Sequence, residues 1–190
     1  MPLRLLAAAA VCLSPLAARA ADDDHPYKNV KVGDYATYKT TTKYAGQTIT
    51  GTVTQSVTAK SDKEATVRGT VKFTVAGTDT DGPPTELKID LTKPYDPTKA
   101  PGLPPNSELK VEKGKDGKEK VKVGGKEYDA TWTAYAVKGK LMGQDIDAEI
   151  KAWMAKDAPM GLVKMEMTGT AAGQKIEMTM ELAETGNKKP

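Results

Sequence analysis

Apolar and polar residues alternate with a period of two along most of this chain. In Gln47–Thr58, Ile49, Gly51, Val53 and Val57 fall on one side, and Thr48, Thr50, Thr52 and Thr54 on the other. Glu64–Ala76 repeats the pattern: Ala65, Val67, Gly69, Val71, Phe73 and Val75 oppose Thr66, Arg68, Thr70, Lys72 and Thr74. Leu87, Ile89 and Leu91 continue it, as do Tyr128, Ala130, Trp132, Ala134 and Ala136. Strict alternation with β-branched residues on both sides predicts half-buried strands rather than helices.

Turn signals separate these runs: Ala45-Gly46, Ser61-Asp62, Asp116-Gly117, Gly124-Gly125, Gly139-Lys140 and Ala172-Gly173. Connections this short make sequence neighbours spatial neighbours, so the chain reads as an antiparallel meander. About ten strands are too many for one flat sheet, which must curl into a half-barrel or open barrel. Two segments depart from the rhythm. Lys93–Ser107 carries Pro94, Pro97, Pro101, Pro104 and Pro105, cannot join a ladder, and reads as a surface excursion or a rim element. Asp145–Lys156 fits a strand, with Ile146, Ala148, Ile150, Ala152 and Met154 on one side, and also fits an amphipathic helix. Both its neighbours are strands, so strand is preferred. On the strand reading Trp153 falls on the charged side, where it could form a rim contact.

The methionines cluster. Apart from Met1, all lie beyond residue 140, at 142, 154, 160, 165, 167, 178 and 180. Val163–Met167 and Ile176–Leu182 read as the arms of a hairpin. A turn centred on Ala171-Ala172 sets Met165 opposite Met178, and places Met165, Met167, Met178 and Met180 on one face. Such a face serves as adaptable core, as a deformable pocket wall, or as a soft thioether metal site. No His or Cys accompanies it, which leaves the first two. Large apolar side chains are scarce, with one Phe and two Trp. A curled sheet lined by small residues leaves room for an apolar or amphipathic ligand, with Trp132, Val163, Met165, Met167, Met178 and Met180 as its expected wall.

Composition narrows the setting. Met1-Pro2-Leu3-Arg4, the apolar run Leu5–Ala18 and the small-x-small Ala18-Arg19-Ala20 read as a cleaved signal peptide, residues 1–20. The mature protein is then expected in the periplasm or outside the cell, with no integral membrane segment. Residues 21–29 read as a flexible lead-in and 30–185 as a single β domain. Removing Arg4 and Arg19 takes the basic count from 28 to 26 against 25 acidic residues, so no field attracts nucleic acid. The one cysteine, Cys12, leaves with the signal, which excludes disulfides and thiolate chemistry. His25 is the only histidine and lies in the lead-in, which excludes serine triads and multi-histidine metal centres. Asp145, Asp147 and Glu149, and likewise Glu166, Glu177 and Glu181, line charged faces among lysines, as solvated surfaces do. Lys110–Lys126 reads as a hairpin kept soluble by mixed charge. No catalytic, metal or cofactor site emerges, and the chain reads as a non-enzyme.

The phrases Val123-Gly124-Gly125-Lys126-Glu127-Tyr128-Asp129-Ala130-Thr131-Trp132 and Ala152-Trp153-Met154-Ala155-Lys156-Asp157-Ala158-Pro159-Met160-Gly161-Leu162-Val163-Lys164 resemble small secreted bacterial β-proteins of unknown function. These in turn resemble the LolA/LolB-like group, over residues 30 to 183 of this chain. The resemblance implies a curled antiparallel half-barrel whose apolar concave face holds a lipid or acyl chain. Carriers of that group cover the face with helices, and this chain offers one only if Asp145–Lys156 is helical. The leading functional expectation is non-catalytic binding of an apolar or lipid-like molecule. The alternative is a structural or protein-interaction domain of the cell envelope with a filled core.

Overall fold

The computed structural model of the chain describes residues 25–75, 77–93, 108–141 and 143–188. The expected signal peptide with Cys12, the acidic run at 22–24, Met142 and the proline-rich segment from Pro94 onward lie outside the described residues. Ten strands form one antiparallel sheet: β1 (Asp34–Tyr44), β2 (Gln47–Lys60), β3 (Glu64–Val75), β4 (Thr78–Asp81), β5 (Thr85–Asp90), β6 (Glu108–Val123), β7 (Lys126–Leu141), β8 (Gln144–Met154), β9 (Leu162–Ala171) and β10 (Gln174–Asn187). Among the described residues there is no helix, and hence none long and apolar enough to cross a membrane. Asp145–Lys156 resolves as strand β8 up to Met154.

The order across the sheet is β4-β3-β2-β1-β10-β9-β8-β7-β6, with β5 beside β3 next to β4. First and last strands therefore meet at the centre, and two meanders run outward from them. Nine positions across an all-antiparallel sheet is an odd number. The strands on the two edges, β5 and β6, consequently run the same way, and closing the sheet would demand a parallel pair. The sheet stays an open half-barrel.

Three of the expected turns are two-residue hairpins with both central residues at positive φ: Ala45-Gly46 (49°, 78°), Gly124-Gly125 (57°, 81°) and Ala172-Gly173 (51°, 75°). That geometry matches the right-handed twist of the flanking strands. Two others are not turns. Asp116-Gly117 lies inside β6 beside a bulge, and Gly139-Lys140 lies inside β7. Glycine serves close approach at both. A Cβ on Gly117 would sit 2.9 Å from the Trp132 ring, and one on Gly139 would overlap the Glu108 carbonyl. β6 and β7 thus make a single long hairpin.

The inward face is mainly apolar, with Thr40, Thr42 and Gln55 among its buried polar residues. Ala36 and Tyr38 of β1, Val53 and Val57 of β2, Val67 and Val71 of β3, Ile150 and Ala152 of β8, and Met178, Met180 and Leu182 of β10 are all buried. Because the β9–β10 turn centres on Ala172-Gly173, the register is Met167 opposite Met178 and Met165 opposite Met180, two residues from the expected pairing. A slip of two keeps every side chain on its own face. Residues 25–33, which include part of the expected lead-in, pack at the opposite end of the sheet from that turn, where β1 begins and β2 and β10 finish. Tyr27 is fully buried beside Gln55, and the Lys60 ammonium donates to the Lys28 and Val30 carbonyls.

Met180 touches β9 and β1 through its pairing with Met165 and Thr40 and is 2% exposed. Met180→Ala is therefore expected to cost about 2–4 kcal/mol in urea unfolding, and Met180→Leu less than about 1.5 kcal/mol. A loss below about 1 kcal/mol for the alanine variant would mean that this face is not packed.

Candidate functional site

Five of the six sequence-nominated wall residues come together. Val163, Met165, Met167, Met178 and Met180 are contiguous across β9 and β10, and none is more than 2% exposed. Ile150 and Ala152 flank them on β8, Thr40 and Thr42 on β1. They form filled core. Trp132 lies apart from them. It pairs with Trp153 across β7 and β8, and alternation puts that pair on the face opposite Ala152 and Met165.

Trp153, expected at a solvated rim, is instead 4% exposed. Its neighbour Ala152, which points the other way, is also buried, so this end of the sheet is covered on both sides. The cover on the tryptophan side comes from the distal part of the β6–β7 hairpin, which runs beyond the end of β8. Glu119 of β6 accepts hydrogen bonds from the Trp153 indole N–H and from Lys151 (3.1 Å). The Lys151 ammonium stands 4.3 Å from the centroid of Trp132 and 4.4 Å from that of Trp153, and Lys164 stands 5.1 Å from the latter. Farther out, Gly124 approaches the Leu182 carbonyl so closely that a Cβ there would lie at 3.0 Å, and Lys126 pairs with Asp157 at 2.9 Å. The indole N–H, followed by Lys151, holds the Glu119 carboxyl below its usual range.

An open cleft of about 590 Å³ lies at this same end of the half-barrel. One wall is the loop that follows β8. Asp157-Ala158-Pro159 stops the strand. The Ala155 N–H bonds the Gly161 carbonyl at 2.8 Å, closing the loop on itself. Met160 (φ 59°) and Gly161 (φ 79°) both take left-handed conformations there. For Met160 that costs about 1–2 kcal/mol, offset by burial of its side chain to 1% exposure. Glycine suits position 161 because side chains rarely adopt its φ of 79°.

The facing wall is the segment from His25 to Asp34. The Lys28 N–H closes a turn on the His25 carbonyl (2.9 Å), and the Tyr27 N–H donates to His25 Nδ1 (3.2 Å). Burial lowers the His25 pKa, and Asp90 opposes that shift. Asp34 accepts the Lys31 N–H (2.7 Å) and the Asn187 amide (2.8 Å). Thr131 and Thr133 of β7, with Lys113 and Asp116 at the β6 bulge, form the third side, and Thr185 and Gly186 of β10 the fourth. Lys113 and Asp116 pair at 3.4 Å. The floor is apolar and the rim mixes hydroxyls with charges.

Among the described residues no three His, Cys, Asp or Glu side chains group so as to hold a metal ion. Asp147 pairs with Lys138 (3.1 Å), Glu166 with Lys164 (2.8 Å) and Glu177 with Lys175 (2.6 Å), all on outer faces. Burial pushes the Tyr38 phenol far up and that of Tyr135 to about 12, the Thr133 hydroxyl opposing the latter, so both stay protonated at neutral pH. The sequence signal for the cleft was present in Ala158-Pro159-Met160-Gly161, which had been noted only for its resemblance. Its remaining walls come from four separated segments.

No family model matches the chain, and no curated protein matches it. Among solved structures it is similar to a Bacteroides fragilis protein described as exported and as having a YmcC-like fold, with a TM-score of 0.48, 10% identity, and coverage of 83% of this chain and 97% of that one. It is also similar to a Parabacteroides distasonis protein described as a lipoprotein, with a TM-score of 0.46, 11% identity, and coverage of 82% and 96%. A DUF1329 family protein from Desulfovibrio piger aligns at a TM-score of 0.28, with 8% identity and coverage of 88% and 90%. At these scores the likenesses add nothing to the functional reading.

The Glu119 contact carries a pH signature. Since the folded pKa is depressed, the contact is intact above 4.5, the ordinary value, and is lost as pH falls through the lower folded value. Tryptophan emission is expected to change only in that acid window, and Glu119→Gln to abolish the transition. A transition that persists in the variant would assign it to another carboxylate.

Proposed function

We propose that this is an exported, non-catalytic binding protein that takes a small amphipathic molecule in the cleft at the end of the half-barrel. The observation that carries the reading is the cleft itself. Its volume, about 590 Å³, lies within the range of small-molecule sites. Met154, Ala155, Ala158 and Met160 supply an apolar floor, and threonine hydroxyls with paired charges supply an orienting rim. Export rests on the basic, apolar and small-residue phases of Met1–Ala20. A non-catalytic role is favoured because Asp34, Asp116 and Asp157 are each already engaged by a donor or a cation. The methionine face acts as the rigid backing of the site rather than as its wall.

One observation favours a second reading. The methionine face is filled, as it would be in a purely structural or protein-interaction domain of the cell envelope. Titration of the mature protein with an environment-sensitive apolar dye separates the two. Saturable binding at one site is expected, weakened about tenfold or more by Thr131→Trp, which fills the cleft from an exposed strand position. Met165→Leu, away from the cleft, is expected to leave the affinity unchanged. If no saturable binding occurs, or if Met165→Leu weakens it while Thr131→Trp does not, the cleft is not the site.

A further inference from the structure

Resting on the cleft reading, we infer that the site selects an uncharged amphiphile and discriminates against an anionic one. Five formally charged side chains line the cleft: Asp34, Asp116 and Asp157 against Lys113 and Lys156. Carboxylates outnumber ammoniums, and the cations nearest to them are committed. Lys113 sits 3.4 Å from Asp116, and Lys126 reaches Asp157 at 2.9 Å from beside the cleft. The sixth titratable wall residue, His25, accepts the Tyr27 N–H at Nδ1 and is partly buried, so it adds no positive charge at neutral pH.

An anionic head group entering here meets three carboxylates. To gain a cation it must compete for a lysine that is already engaged: Lys113 on Asp116, Lys126 on Asp157, or Lys156, which also has a partner. No guanidinium fork is present to clamp it, since Arg68 belongs to β3, away from the cleft. A hydroxyl, ester or amide head has no such penalty. It finds the Thr131 and Thr185 hydroxyls and the Asn29 amide on the rim, while its chain lies on Met154 and Met160. The ligand class is thus a neutral single-chain amphiphile bearing a hydrogen-bonding head.

Monolaurin, laurate and dodecyltrimethylammonium share one chain and differ in head charge. They can be compared with the mature protein at pH 8 and low salt, below their micelle concentrations, by dye displacement and calorimetry. Monolaurin is expected to bind saturably and laurate about fivefold or more weakly. Asp116→Asn, at an exposed bulge, removes one carboxylate and releases Lys113, so it is expected to narrow that gap, read as the ratio of laurate to monolaurin affinity in the same variant. Laurate or the cation binding as tightly as monolaurin would overturn the selectivity and leave the cleft reading standing. Binding of none of the three would overturn both.

Discussion

A sheet that carries nearly all its bulk on one face, with few aromatic residues and no cysteine beyond Cys12, has one route to stability. It must bend until that face meets itself. Every other feature follows from the bend. Methionine suits the concave face of β9 and β10, because an unbranched thioether adapts to irregular space. The paired rows Met165–Met180 and Met167–Met178 lie fully within the core, and the first and last strands join beside them.

An open sheet of odd count leaves its ends and edges to be managed. The long edge strand β6 is studded with lysines, which discourages edge-to-edge pairing. At the end where β8 stops, both faces of the sheet are covered. The segment around Tyr27 closes one side, and the far end of the β6–β7 hairpin, fixed by Glu119 on Trp153, closes the other. The cleft is the space left between the Tyr27 segment, the Ala155–Gly161 loop and the β6 bulge. Its position is a consequence of how the half-barrel is capped, not of a gap in the methionine core.

Alternation made the strands and their faces legible, and the methionine face survived a two-residue error in register because the period is two. Glycine misled at Asp116-Gly117 and Gly139-Lys140, where it admits an indole ring and a neighbouring carbonyl instead of a reversal. Trp132 was misplaced for a subtler reason. The two halves of the β6–β7 hairpin bury opposite faces: Tyr128 and Ala130 are buried near the tip, Thr133, Tyr135 and Val137 nearer the base. Both phases carry apolar residues, so periodicity within β7 cannot show where one gives way to the other. The cleft was illegible because His25, Lys113, Thr131 and Met160 are far apart in sequence and are brought together only by the curl.

The central claim, that the methionine face is packed core and the cleft a separate feature, is tested most directly by peroxide oxidation of the folded protein with site-resolved mass spectrometry. Met165, Met167, Met178 and Met180 are expected to stay unoxidised until the protein unfolds, while half-buried Met154 at the cleft reacts first. Oxidation of those four at the rate of the unfolded chain, with the β-sheet circular dichroism intact, would contradict it.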